Sequence, residues 1–109
     1  MMRKPVGMQT VGDFLAEKTD NMCNWLVLEG LPKRPLPGLR PVQLVAICEE
    51  LREKAGDAIR NRSFDGLAAH KENMPAQLWE AVVFVQLRPP LHDKFWRYLQ
   101  LFSDSVSDE

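Results

Sequence analysis

The stretch Pro75-Ala76-Gln77-Leu78-Trp79-Glu80-Ala81-Val82-Val83-Phe84-Val85-Gln86-Leu87 decides the fold class, because it can be read as helix or as strand. Its centre, Ala81 to Val85, has the β-branched and aromatic composition of a strand. Three features make it a helix: Pro75 opens it, it is about three turns long, and no other segment alternates convincingly enough to pair with it. Being apolar nearly all round, it is expected at the centre of a bundle. The expected fold class is therefore all-α, a single-domain bundle of four to five helices with a proline-rich strap between the first two.

On the C-terminal side, Arg88-Pro89-Pro90 breaks this helix, and Leu91 to about Ser103 forms the last one, with Leu91, Phe95, Tyr98, Leu99 and Phe102 on one face. The acidic end, 104–109, is expected to fray. On the N-terminal side, Ser63 caps a short helix from Phe64 to about Lys71. Before it, Pro41 suits the first position of a long helix, because its missing N–H has no partner there anyway. That helix carries one apolar stripe of Leu44, Ile47, Cys48, Leu51, Ala55, Ala58 and Ile59. Residues 30–41, rich in Pro and Gly, form the connector, in which Leu31, Leu36 and Leu39 suit the covering of apolar surface. The first helix starts at Thr10 after a flexible start, 1–9, and places Val11, Phe14, Leu15, Met22, Trp25 and Leu26 on one face. Thr19-Asp20-Asn21 is its weak point, and Gly30 with Leu31 and Pro32 is its stop.

Composition agrees with a single folded unit. The chain has 109 residues, 45% of them hydrophobic, and a net charge of -1, which disfavours disorder and fits one core. Cys23 and Cys48 are too few and too far apart for a disulfide scaffold. No apolar run reaches membrane-spanning length, and Pro5, Gly7, Gln9, Gly12 and Asp13 interrupt any signal sequence after Arg3 and Lys4. The expected setting is cytoplasmic, with reduced thiols.

Reaction chemistry has little to work with. A nucleophile needs a nearby base that a third group orients, and Cys23, Cys48, His70 and His92 stand in no such pattern. Cys48 lies inside an apolar stripe, and Cys23 at the margin of another, where a thiol acts as a small hydrophobe. His92 and Asp93, being adjacent on a helix, point about 100° apart. There is no CxxC, no HExxH, no acidic calcium-type loop and no phosphate-cradling glycine loop. The expectation is a non-enzymatic protein with no cofactor and no metal.

Two binding motifs deserve comparison. The second helix, the turn Asn61-Arg62-Ser63 and the short third helix match a minimal helix-turn-helix in outline, with Arg60, Asn61, Arg62 and Lys71 as its DNA contacts. The third helix, however, carries Asp65 and Glu72, and the chain lacks a basic excess, so nucleic acid is the alternative reading. Pro32 and Pro35 stand at PxxP spacing, yet the flanking leucines favour a structural strap.

The informative residues are apolar side chains off their own helix's stripe. Val27 and Leu28 fall among Glu17, Asp20 and Asn24; Phe84 falls between Glu80 and Gln77; Leu101 falls between Lys94 and Arg97; Trp96 stands at the edge of its arc. With Trp25, and with Tyr98 as a further anchor, these residues are the candidate partner-binding set, since aromatic side chains are favoured at interfaces. The expected function is a small protein-binding regulatory module, of adaptor, inhibitor or anti-activator type, that covers a hydrophobic surface of a partner such as a transcription regulator. A homodimer is the simplest further expectation.

Overall fold

The computed structural model describes residues 10–106. Five α-helices are formed, α1 (Val11–Leu28), α2 (Pro41–Arg60), α3 (Phe64–Ala68), α4 (Ala76–Gln86) and α5 (His92–Ser105), and there is no strand among the described residues. The flexible start expected over 1–9 and the end of the tail, 107–109, lie outside them.

Helix α1 begins as its sequence requires. The Thr10 hydroxyl accepts the Asp13 N–H at 3.0 Å, satisfying one of the four orphan donors of a first turn. The helix runs unbroken through Thr19-Asp20-Asn21, because Thr19 is itself buried beside Met22 and Cys23 and holds that turn in the core. The inward face is Gly12, Leu15, Thr19, Met22, Cys23 and Leu26. It is rotated from the face expected, which leaves Val11 exposed and Trp25 half-buried. At the far end Gly30 takes φ +114. The Leu31 N–H reaches Leu26 O at 2.9 Å and the Gly30 N–H reaches Val27 O at 3.0 Å, a Schellman stop in which glycine avoids the cost of a left-handed residue.

The connector works as a strap. Leu31, Pro35 and Leu36 are buried, and Leu39 packs against the core. Arg34 ties it back to α1, donating to Asn24 Oδ1 at 2.9 Å and pairing with Asp20. Burial of Pro35 withdraws the PxxP pair from a partner's groove.

Helix α2 is the central element, packing against α1, α3 and α5. Its start is fixed by Pro41 and by the Arg40 N–H, which donates to Gln43 Oε1 at 2.8 Å. A Cβ at Gly12 would stand 2.9 Å from Pro41 Cβ, so the glycine lets the starts of α1 and α2 approach. Leu44, Cys48, Leu51, Ala55, Ala58 and Ile59 are buried, while Ile47 is half-buried. The helix kinks at Ala55 (φ -126, ψ 16) and ends in a second Schellman turn, with Ser63 N–H to Ala58 O at 2.9 Å and Arg62 at φ 53.

Helix α3 is shorter than expected, ending at Ala68 rather than near Lys71. The His70 N–H bonds to Leu67 O three residues back, at 2.9 Å, and a separate 3-10 turn covers Lys71–Asn73. Packing onto α2 sets its position: a Cβ at Gly66 would lie 2.7 Å from Ala58 Cβ.

The segment 75–87 is helical, but its place corrects the expectation. Helix α4 buries Leu78, Ala81, Val82 and Val85 and exposes Val83. It packs against α5 and the adjoining 3-10 turns, at the margin of the bundle. The physical reason is length: the centre goes to the twenty-residue α2, which touches three helices, whereas eleven residues cover one side of α5. Helix α5 buries Phe95, Trp96, Leu99 and Phe102. It stays helical through Ser105, where fraying was expected, and the Ser105 hydroxyl donates to Leu101 O at 2.7 Å.

Candidate interaction surface

The sequence-selected residues separate into three environments. Trp96 is buried at 3% exposure, its ring 4.7 Å from Phe64 and 6.3 Å from Phe95. It is a core residue, and its assignment to a surface is corrected. Helix α3 covers it, and a projection of α5 alone contains nothing of α3.

Trp25 and Leu101 are half-buried. The Trp25 ring lies 6.0 Å from Tyr98, with the Lys94 ammonium 4.8 Å above it. Around Trp25 this is a seam between α1 and α5 that the chain covers with its own aromatic and cationic groups.

Val27, Leu28 and Phe84 form the third set, around the adjoining ends of α1 and α4. Leu28 is 86% exposed and Val27 is exposed as well. A Cβ at Gly30 would lie 3.7 Å from Phe84 Cζ, so the end of α1 rests against the Phe84 ring. The Arg88 guanidinium lies 3.7 Å from the centre of that ring, and its Nη1 donates to Phe84 O at 3.0 Å. Two residues missed in the sequence belong here: Leu87, 72% exposed, and Val83. They are one turn apart, so they share a face of α4. Treating segment 75–87 as central concealed them, although the break at Arg88-Pro89-Pro90 right after Leu87 marked a helix end.

A second feature is a groove of about 650 Å³ between the C-terminal half of α2, α3 and the end of α5. Its walls carry both signs of charge, Arg52, Lys54 and Arg60 with Glu53, Asp57 and Asp104. Two bonds cross its base: Arg52 Nη1 donates to Ser103 O and Gln100 Nε2 donates to Ile59 O, each at 3.2 Å.

The residues of the helix-turn-helix reading are placed as follows. Arg60 donates to Asp57 at 2.7 and 2.9 Å. Arg62 pairs with Asp93 at 2.9 Å, and Asp93 also meets Arg97 at 3.0 Å. The hydrogen bond from Arg62 and the second guanidinium hold the Asp93 carboxyl below its ordinary value. The five residues of α3 would span only about 7.5 Å as a recognition helix. His92 is half-buried, edge-on to Phe64 at 4.8 Å, with Nε2 3.0 Å from Gln86 O.

Both thiols are buried. Burial pushes Cys48 up to about 12, and Glu49 adds to the rise. Burial also raises Cys23, with Arg34 acting in the opposite sense. Such thiols are poor nucleophiles in the folded chain. Among the described residues, no group of His, Cys, Asp and Glu could hold a metal ion, and no helix is long and apolar enough to cross a membrane. No family model, curated protein or solved structure matches the chain.

Proposed function

We propose that this chain is a small helical protein-binding module, a regulator of adaptor, inhibitor or anti-activator type, acting through the apolar surface where α1 ends against α4. One observation carries the reading: Leu28 and Leu87, at 86% and 72% exposure, belong to the ends of α1 and α4, the two segments that the approach of Gly30 to Phe84 brings together. Isolated exposed leucines are ordinary, but two of them, with exposed Val27 and Val83, on segments that adjoin at a half-buried phenylalanine give this end of the molecule the apolar character that marks association. A regulatory protein such as a transcription factor is the partner class, reached in the cytoplasm. No catalytic step is assigned.

The test compares the wild-type chain with the Leu28→Glu/Leu87→Glu variant in affinity capture from the source cell's lysate. The variant is expected to keep its helical circular dichroism and melting temperature and to lose the captured protein. Equal capture by both chains would sink the proposal.

A further inference from the structure

The connector between α1 and α2 is held differently from the helices it joins. Pro32, Pro35 and Pro37 bring no N–H, and among the described residues none of 32–39 donates or accepts a backbone–backbone hydrogen bond. Within 32–37 only Pro35 and Leu36 are buried. A single side chain fastens the segment from outside. Arg34 donates to Asp20 and to Asn24, which stand one turn apart on the exposed side of α1.

Both ends of this segment have a glycine in the left-handed region. Gly30 has φ +114 and Gly38 has φ +66, and a Cβ at Gly38 would meet nothing within 4 Å. Glycine passes between left- and right-handed backbone without a side-chain clash, so these are the positions about which the segment can swing. Leu31 stays behind, because its N–H is held by Leu26 O at 2.9 Å. Beneath the segment lies Cys23, fully buried on α1. Burial raises its thiol, while Arg34 and the Leu36 N–H, both on the segment, act against that rise. Cys48, on α2, answers to burial and to Glu49. The two thiols therefore report on different parts of the fold.

Lifting 32–37 takes Pro35 and Leu36 off the core and parts one guanidinium from two partners. Global unfolding, by contrast, exposes the buried faces of all five helices. An opening that breaks few contacts is visited far more often than the unfolded state. We infer that residues 32–37 are a latched cover, hinged at Gly30 and Gly38 and held shut by Arg34, that opens over Cys23 while the helices stay packed. Opening frees Pro35, whose burial otherwise withholds the Pro32–Pro35 pair from an aromatic groove. The inference stands independently of the surface at Leu28 and Leu87.

Iodoacetamide labelling of the Cys48→Ala and Cys23→Ala chains reads each thiol alone, with rates divided by those of the unfolded chain. In the absence of urea Cys23 is expected to label at least about tenfold faster than Cys48, though far more slowly than when unfolded. Its rate should stay nearly flat in urea below the unfolding transition, since a small opening exposes little surface, while the Cys48 rate climbs steeply. Ile59→Val, near the end of α2 remote from the cover, destabilises the closed and open forms alike. It should speed Cys48 by about twofold to tenfold and leave Cys23 unchanged. Arg34→Ala removes the latch and should speed Cys23 by about threefold. Equal urea slopes for the two thiols overturn the inference, because Cys23 then opens only with the whole fold. So does an Ile59→Val chain in which Cys23 gains as much as Cys48, or an Arg34→Ala chain whose Cys23 rate is unchanged.

Discussion

Replacing Trp96 with alanine separates the core from the binding surface. The indole is 3% exposed and packs on Phe64 and Phe95 at ring distances of 4.7 and 6.3 Å. Removing a fully packed tryptophan costs about 3–5 kcal/mol, through lost transfer free energy and the cavity left behind. Part of that loss is the aromatic contact with Phe64, worth about 0.5–1.5 kcal/mol beyond its area. With an unfolding entropy of about 2.1 cal/mol/K per residue, each kcal/mol moves the melting temperature of a chain this long by roughly 4–5 °C. A loss near 4 kcal/mol therefore lowers it by about 15–20 °C, a large share of the stability of an ordinary small domain. Leu28→Glu is the control, because an exposed side chain changes stability by no more than about 0.5 kcal/mol. Both variants are followed by circular dichroism at 222 nm during heating. A Trp96→Ala chain melting within a few degrees of wild type would refute the placement of Trp96 beneath α3.

Two glycine substitutions of identical chemistry are expected to act with opposite sign. Gly66→Ala forces a Cβ to 2.7 Å from Ala58 Cβ and should destabilise by about 1–3 kcal/mol. Gly56→Ala meets nothing within 4 Å and should stabilise by about 0.5–1 kcal/mol in urea titrations. Cys48 gives a prediction in pH: the folded chain keeps its thiol proton up to about 12, while the unfolded chain loses it near the ordinary value. The native state thus binds more protons between about pH 9 and 12, so stability falls as pH rises through that window. Cys48→Ala should flatten this fall, and an unchanged slope would contradict the burial. Labelling of both cysteines by a thiol reagent at neutral pH should be slow until denaturant is added.

The candidate surface was only partly legible in the sequence. Val27, Leu28 and Phe84 stood out because each broke the pattern of its own helix, and Leu28 is indeed among the most exposed apolar residues. Trp96 broke the pattern for another reason: α3 approaches α5 from the side and widens the buried arc there. Leu87 and Val83 broke no pattern within a segment apolar on every side, so only the packing of α4 reveals them. A projection of a single helix records which residues share a face, and it carries no information about how many neighbours that helix has.

By itself the sequence determined the helices and most of their ends. Thr10, Gly30, Pro41 and Ser63 act within a few residues of themselves, through a hydroxyl on an orphan N–H, a left-handed stop or a missing donor. It also determined that residues 30–41 strap the bundle, since leucines at that spacing have a local apolar surface to cover. The tertiary structure alone decided that α2 and not α4 is central, that Trp96 is core, that Leu87 is exposed, and that Gly30 at the end of α1 adjoins Phe84. These outcomes depend on contacts between residues distant in the chain, and the number of partners a helix acquires is set by the packing of the whole bundle.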